Sequence, residues 1–291
     1  MAGVILSIIL PVLLTVLVGF CWARSGRKLQ SPDLTALIGD VATPCLVIST
    51  FQKTHVSPAD FSAMATAAAS CIVLFATAGA IVLKIARLPL RTFLPSIAFP
   101  NAGNLGLPVA LYAFGDTGLG YAIVFFSISS VANYTFGQAI AAGAANWGGL
   151  ARLPIMYATA IGVGLSLLSV ELPRWLGATL NLLGSLTVPL MLLLLGASIS
   201  GLGVASARRA AFIASVRIGV GAAVGFGVAA AFGLTGPMRA VLVLQAANPV
   251  AVYNYLFALR WNNQPEEVAG VVVVSTLAAV ATIPLLLMVL I

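Results

Sequence analysis

Residues 96–115 read SIAFPNAGNLGLPVALYAFG and residues 243–261 read VLQAANPVAVYNYLFALRW. Each lies in an apolar stretch long enough to cross a membrane, and each carries residues that interrupt a helix. Pro100 and Pro108 remove backbone donors and clash with carbonyls one turn back. Gly103 and Gly106 admit close backbone approach, and Asn101 and Asn104 add amide groups. In the second stretch Asn248 and Pro249 are adjacent, with Tyr253 and Asn254 about one turn later. In lipid a backbone that leaves helical geometry needs polar partners or water, so such breaks persist where they line a protein cavity. Paired breaks in corresponding positions of two halves point to the binding site of a secondary transporter.

The composition fits that reading. Of 291 residues, 61% are hydrophobic and 7% charged, against about 25% charged in soluble domains. Hydropathy divides the chain into ten segments of bilayer length, near 4–22, 34–50, 61–83, 92–114, 119–142, 153–170, 177–197, 210–231, 238–259 and 268–290. The apolar run from Val4 has its charges Arg24, Arg27 and Lys28 after it and not before, the reverse of a signal peptide, so it reads as a retained first span.

The net charge of +7 follows from topology. With both termini outside, the inner loops hold Arg24, Arg27, Lys28, Lys84, Arg87, Arg91, Arg152, Arg208, Arg209 and Arg260. The outer loops hold Lys53, Arg174 and Arg239. This is the expected cytoplasmic excess, and no nucleic-acid partner is implied. Cys21, Cys45 and Cys71 fall in or beside apolar segments without CxxC spacing and read as small buried side chains. The single histidine, His55, is placed in an outer loop and rules against a histidine metal site. No cofactor is expected.

The two halves, 1–145 and 146–291, correspond. LIGDVATP at 37–44 aligns with LLGSLTVP at 182–189. That offset maps span two onto span seven and span four onto span nine. Five spans per unit is an odd number, so the second copy enters the membrane from the opposite side. The expected fold is an all-α integral membrane protein of ten transmembrane helices, a 5+5 inverted repeat with broken, crossing helices at spans four and nine. Half-helix N-termini offer partial positive charge to an anion. Pro44 and Pro189 lack neighbouring Gly or Asn breaks and read as kinks.

Two charges stand inside spans. Asp40 lies roughly 10 Å from the inner end of span two at 1.5 Å per residue; it is either a proton-coupling group or a hydrated carboxylate near the interface. Arg217, in span eight, is either an attractor for an anionic substrate or a side chain snorkelling to the cytoplasmic surface. Gly221 and Gly225 form GxxxG, a spacing for close helix packing.

FPNAGNLGLPVALYAFGD in span four and ANPVAVYNYLFALRWNNQPEE at span nine resemble the auxin efflux carrier family, which includes plant PIN-FORMED carriers and bacterial malonate and malate permeases. The short Asn146–Arg152 connector, in place of the plant carriers' long central loop, is similar to bacterial members of a cytoplasmic membrane. The resemblance implies a scaffold of spans 1, 2, 6 and 7, a mobile transport domain of spans 3–5 and 8–10, elevator-type movement and a homodimer. It places the family's Pro-Asn pair on Pro100 and Asn101, its later proline on Pro108 and the first proline of its second break on Pro249. Where the family commonly has another proline, this chain has Asn254.

The expected function is transport of a small organic anion such as malonate or malate, with Asn101 and Asn248 touching substrate and Gly103, Asn104 and Pro249 shaping the site. The driving force is open between the membrane potential, a proton gradient and facilitated diffusion, with coupling to protons favoured over sodium. A sodium-coupled carrier of the bile-acid-symporter type is the alternative, disfavoured by the scarcity of acidic ligands. No GxxxxGK[ST], HExxH or GxSxG sequence supports a nucleotide-driven pump or an enzyme.

Overall fold

A computed structural model of the chain describes every residue except 1, 28, 30, 55, 56, 144–152 and 169. Lys28, His55 and the Asn146–Arg152 connector therefore lie outside the described residues. The described chain is helical, in order α1 (Ala2–Arg24), α2 (Pro32–Ala36), α3 (Thr43–Thr54), α4 (Pro58–Ile85), α5 (Leu90–Ala98), α6 (Leu107–Ala132), α7 (Gln138–Ala142), α8 (Pro154–Leu167), α9 (Arg174–Ser185), α10 (Thr187–Gly201), α11 (Ala207–Ala231), α12 (Gly236–Ala246), α13 (Val252–Arg260) and α14 (Pro265–Leu290). Wider π-type turns occupy Leu37–Ala42, Ala102–Gly106 and Asn133–Gly137.

Local chemistry sets several of these boundaries. Ser31 and Ser57 each cap a helix that starts on proline, accepting from the amides of Leu34 and Asp60 at 3.0 Å. Two π-turns end two residues before prolines. Pro44 and Pro108 cannot donate to the carbonyls of Asp40 and Asn104, and the widened turn relieves the clash. At Pro189 the helix instead divides at Leu186, between α9 and α10.

Seven helical runs are long and apolar enough to cross a membrane: Ile5–Arg24, Asp33–Thr54, Pro58–Ile85, Ala102–Ala142, Arg174–Gly201, Ala207–Ala231 and Pro265–Leu290. The expected segments 92–114, 153–170 and 238–259 are built differently. The third is interrupted into α12 and α13, of 11 and 9 residues. The second holds α8, of 14 residues. The first begins as α5, breaks, and continues into Ala102–Ala142. That run has 41 residues and would extend about 60 Å, twice the hydrocarbon thickness. It bends at Gly115, whose φ of 64° and ψ of −159° suit glycine alone.

The helices pack in two groups. In one, α1 lies against α10, and α3 lies against α8 and α9. In the other, α4 packs on α5, α6 and α11, α12 on α6 and α11, and α14 on α11 and α13. They meet where α6 touches α1 and α3, and where α10 touches the Ala102–Gly106 turn. Small residues permit the closest approach: a β-carbon on Gly19 would collide with the Leu193 carbonyl, and one on Gly196 with the Val16 carbonyl. Outward faces remain apolar, with Leu6, Leu10, Val73, Ile81, Leu182 and Leu285 exposed, as a lipid-facing surface requires. The cysteines are free; Cys71 is buried and Cys45 half-buried, but Cys21 is exposed. It lies beside the outward-facing Leu17 and Val18, so the expectation of burial fails for it. An apolar face toward lipid accommodates it equally well.

Replacing Gly196 by Ala forces α1 from α10 and destabilises the protein by about 1–3 kcal/mol. Gly164, where an added methyl group would have nothing within 4 Å, accepts Ala at no cost or with a small gain in helix propensity. Thermal unfolding in detergent compares the two.

Candidate functional site

The two interruptions touch. Phe99, with φ −116° and ψ 105°, ends α5 in extended conformation. Ala251, with φ −67° and ψ 137°, leads extended into α13. Between them Pro100 and Val250 form an isolated antiparallel bridge. The Asn101 amide donates to the Pro249 carbonyl at 2.7 Å, and the Ala251 amide donates to the Phe99 carbonyl at 3.4 Å. This is the non-hydrogen-bonded pair of an antiparallel ladder. Pro100 sits where the ladder asks for no N–H, and Pro249 contributes only its carbonyl, so neither proline costs a bond. Asn101, at φ −75° and ψ 60°, turns the chain back into helix. The Ala102 amide closes that inverse γ-turn on the Pro100 carbonyl at 2.8 Å.

Side chains complete the crossing. The Val250 amide donates to Ser275 Oγ at 3.1 Å. Asn254 Nδ2 donates to the carbonyls of Pro95 and Phe99 at 3.1 and 3.2 Å, so this residue caps the end of α5. Asn248 Nδ2 donates to Gln245 Oε1 at 3.0 Å, and Gln245 Nε2 reaches the Ala122 carbonyl at 3.4 Å. A β-carbon on Gly106 would collide with these Gln245 and Asn248 groups, which is why the turn carries glycine there.

Beside the crossing opens a cavity of about 840 Å³, within the usual size of a small-molecule site. Pro100, Asn101, Ala102, Gly103 and Asn104 form one wall, and Ala251, Val252 and Tyr253 another. Asp40, Thr43, Ser129, Ser130, Asn133, Tyr134 and Ser198 are among the other polar residues of its lining. Tyr134 meets Tyr253 edge to face at 5.7 Å. Two helix starts thus border the same space, and the first amides of a helix have no partner within it. Asn101 is buried, and its Nδ2, itself buried, has no acceptor among the described residues. Among the described residues lining the cavity, Asp40 is the one charged side chain, and it is exposed there. The attraction available to an anion therefore comes from backbone and amide dipoles.

Of the residues singled out in the sequence, Pro100, Asn101, Gly103, Asn104, Tyr253 and Asp40 border the cavity. Pro108, Asn248, Pro249, Asn254 and Arg217 do not. Pro108 is buried at the start of α6. Asn248 turns inward to Gln245, so the expectation that it meets substrate is not supported by its position. Arg217 neither snorkels nor faces the cavity. It is 0% exposed, with Nη1 donating to the Ile97 carbonyl and Nη2 to the Ala246 carbonyl. Ser129, Asn133 and Tyr134 join the cavity lining, and Gln245 the packing behind the crossing, without having stood out in the sequence. The spacing of Phe126, Ser129, Ser130 and Asn133 along an apolar span is the signal that finds three of the cavity's polar groups, since i, i+3, i+4 and i+7 share one helix face.

Asn254→Ala strips donors from two buried carbonyls at the end of α5. It lowers stability by about 1–3 kcal/mol, read as a fall in the thermal unfolding midpoint.

A family model described as "Membrane transport protein" matches residues 4–146 and 141–287. The chain is also similar to auxin efflux carrier component 1 of Arabidopsis thaliana, 30% identical over 140 residues. That alignment covers 46% of this chain and 22% of the plant protein, so this chain spans well under two thirds of its relative. With the family model covering nearly the whole sequence, the chain belongs to the membrane transport protein family of the auxin efflux carriers.

Proposed function

We propose that this membrane transporter is a secondary carrier of a small organic anion, a carboxylate such as malonate or malate, bound beside the crossing of the two interrupted helices. The observation that carries this reading is the polarity of the crossing. The π-turn leading into α6 and the start of α13 border the cavity, whereas the C-terminal ends of α5 and α12 are turned to Arg217. Helix N-termini carry about half a positive charge each, so together they match one carboxylate. Asn101 lines the same wall, and its Nδ2, buried just behind the surface without an acceptor among the described residues, is a donor that a small side-chain turn presents to the ligand.

The half-helices have 9, 11 and 9 residues, about 14–17 Å at 1.5 Å per residue. Each reaches roughly the middle of a 30 Å hydrocarbon layer. Ten crossings with both termini outside, arranged as a 5+5 inverted repeat, accommodate these lengths and the basic-residue bias. In that arrangement the cavity lining extends to Ser31, Leu153 and Gly201, at helix ends assigned to the cytoplasm, so the carrier is open inward. The packing supports a division of labour. The group of α1, α2–α3, α8 and α9–α10 serves as scaffold, paired with a second copy, and the group holding the crossing carries the substrate past it as an elevator.

A thermal-shift screen of the purified protein against organic acids identifies the ligand, because binding to the folded state raises the unfolding midpoint. Proteoliposome uptake of that ligand saturates. Asn101→Ala removes a charge-assisted donor worth about 1.5–3 kcal/mol and weakens apparent affinity about tenfold or more, with the ligand-free unfolding midpoint unchanged. Unaltered uptake by this variant removes Asn101 from the site.

The Asp40 carboxylate opposes an anion in the same wet cavity by about 0.5–1 kcal/mol. Asp40→Asn therefore tightens anion binding about two- to fivefold. A weaker binder instead shows that Asp40 contacts the ligand through its acceptor oxygens or holds a proton for it.

A further inference from the structure

We infer that Arg217 is a built-in counter-ion that does at the crossing the work a bound metal cation would otherwise do, and that the carrier's folded site therefore requires no alkali cation. The geometry of the crossing carries this, whatever the identity of the substrate.

Arg217 is 0% exposed and has no carboxylate within ion-pair distance among the described residues, where the ion pair found is Arg209–Glu267 at 3.4 Å. A buried charge without a counter-charge is costly. Its compensation comes from two helix ends. The acceptors are the carbonyls of Ile97, in the last turn of α5, and of Ala246, the last residue of α12. Each helix C-terminus carries about half a negative charge, so the two together balance one guanidinium. These are also carbonyls that a helix leaves without internal partners, placed at the protein interior where water does not reach them.

An arrangement of converging main-chain carbonyls is equally suited to a hard cation with oxygen ligands. The guanidinium fills that role here because its fork reaches two acceptors on separate helices, which a lysine ammonium reaches less well. The surroundings are shaped for it. A β-carbon on Gly221 would collide with both Arg217 Nη2 and the Ala246 carbonyl, and the guanidinium carbon lies 4.3 Å from the centre of the Phe75 ring. Because Arg217 belongs to α11, it ties three elements into one body and acts as a positioning residue for the crossing.

The test uses purified wild type and the variants Arg217→Ala, Arg217→Met and Arg217→Lys in detergent. Unfolding midpoints are measured in N-methylglucamine buffer and after substituting sodium, potassium, tetramethylammonium or low-millimolar guanidinium at constant ionic strength. The wild-type midpoint is the same in sodium, potassium and N-methylglucamine. Arg217→Ala has a lower midpoint that guanidinium raises and tetramethylammonium does not, while guanidinium leaves the wild type unchanged or slightly less stable. Arg217→Met fills the space without charge and is not rescued, and Arg217→Lys falls between Ala and wild type. A sodium-specific rise in the wild type, a Met variant as stable as wild type, or no selective guanidinium rescue overturns the inference. If Arg217→Ala does not fold, the wild-type cation series and the comparison of Lys with Met decide it. No substrate enters these readouts, so a failure of organic-anion uptake leaves this inference standing, and its own failure leaves the uptake result standing.

Discussion

Two main-chain hydrogen bonds, from Asn101 to Pro249 and from Ala251 to Phe99, hold together helices that are broken where lipid would tolerate no break. The constraint is the absence of water in the hydrocarbon layer, which requires every backbone polar group to find a protein partner or a wet cavity. An interrupted helix frees carbonyls on one side and amides on the other. Pairing one interruption with another satisfies the central groups mutually. The residues around the crossing then fit as answers to what remains: Asn254 takes the carbonyls of Pro95 and Phe99, Ser275 takes the Val250 amide, and Gly106 leaves room for Gln245 and Asn248.

The remaining ends are sorted by sign. Carbonyl ends converge on a sealed interior and meet the Arg217 guanidinium. Amide ends converge on an open cavity whose lining holds one acidic side chain and no basic one among the described residues. In the proposed reading such a site attracts an anion through fixed dipoles, which need no reorganisation when the ligand arrives and no desolvation of a lysine or arginine. It also leaves the side chains around the cavity free to set size and shape. Gly103 brings main chain to the wall against Phe126, and Tyr134 with Tyr253 forms an aromatic border.

The interruptions were legible in the sequence because proline and glycine act locally: they disrupt a helix wherever it lies. For the same reason Pro44 and Pro189 were readable as kinks, and Asn101, Gly103 and Asn104, embedded in the break itself, fell on the cavity. Partners chosen across long sequence separations were not legible. Asn254 reaches back to Pro95 and Phe99, Arg217 to Ile97, and Gln245 to Ala122, and no local pattern distinguishes an amide aimed at a ligand from one aimed at a helix end. Neither role expected of Arg217 holds, because a long cation in an apolar span ordinarily escapes to the surface, and here two helix ends compensate it in the interior. Hydropathy found the apolar segments but not how each is built, since a window average registers the apolar content of 92–114 or 238–259 and not the interruption within it.

The crossing requires Pro100 and Val250 to be neighbours, although 150 positions separate them. In a non-hydrogen-bonded antiparallel pair the α-carbons lie about 4.5 Å apart, inside the range that a disulfide spans. The direct measurement is oxidation of the double variant Pro100→Cys and Val250→Cys, with Cys21, Cys45 and Cys71 replaced by serine or alanine, followed by peptide mass spectrometry with and without reductant. Crossed helices predict a reducible cross-link joining the two segments within one chain, absent from either single variant. Free thiols at both positions under conditions that oxidise an exposed control pair would contradict the crossing.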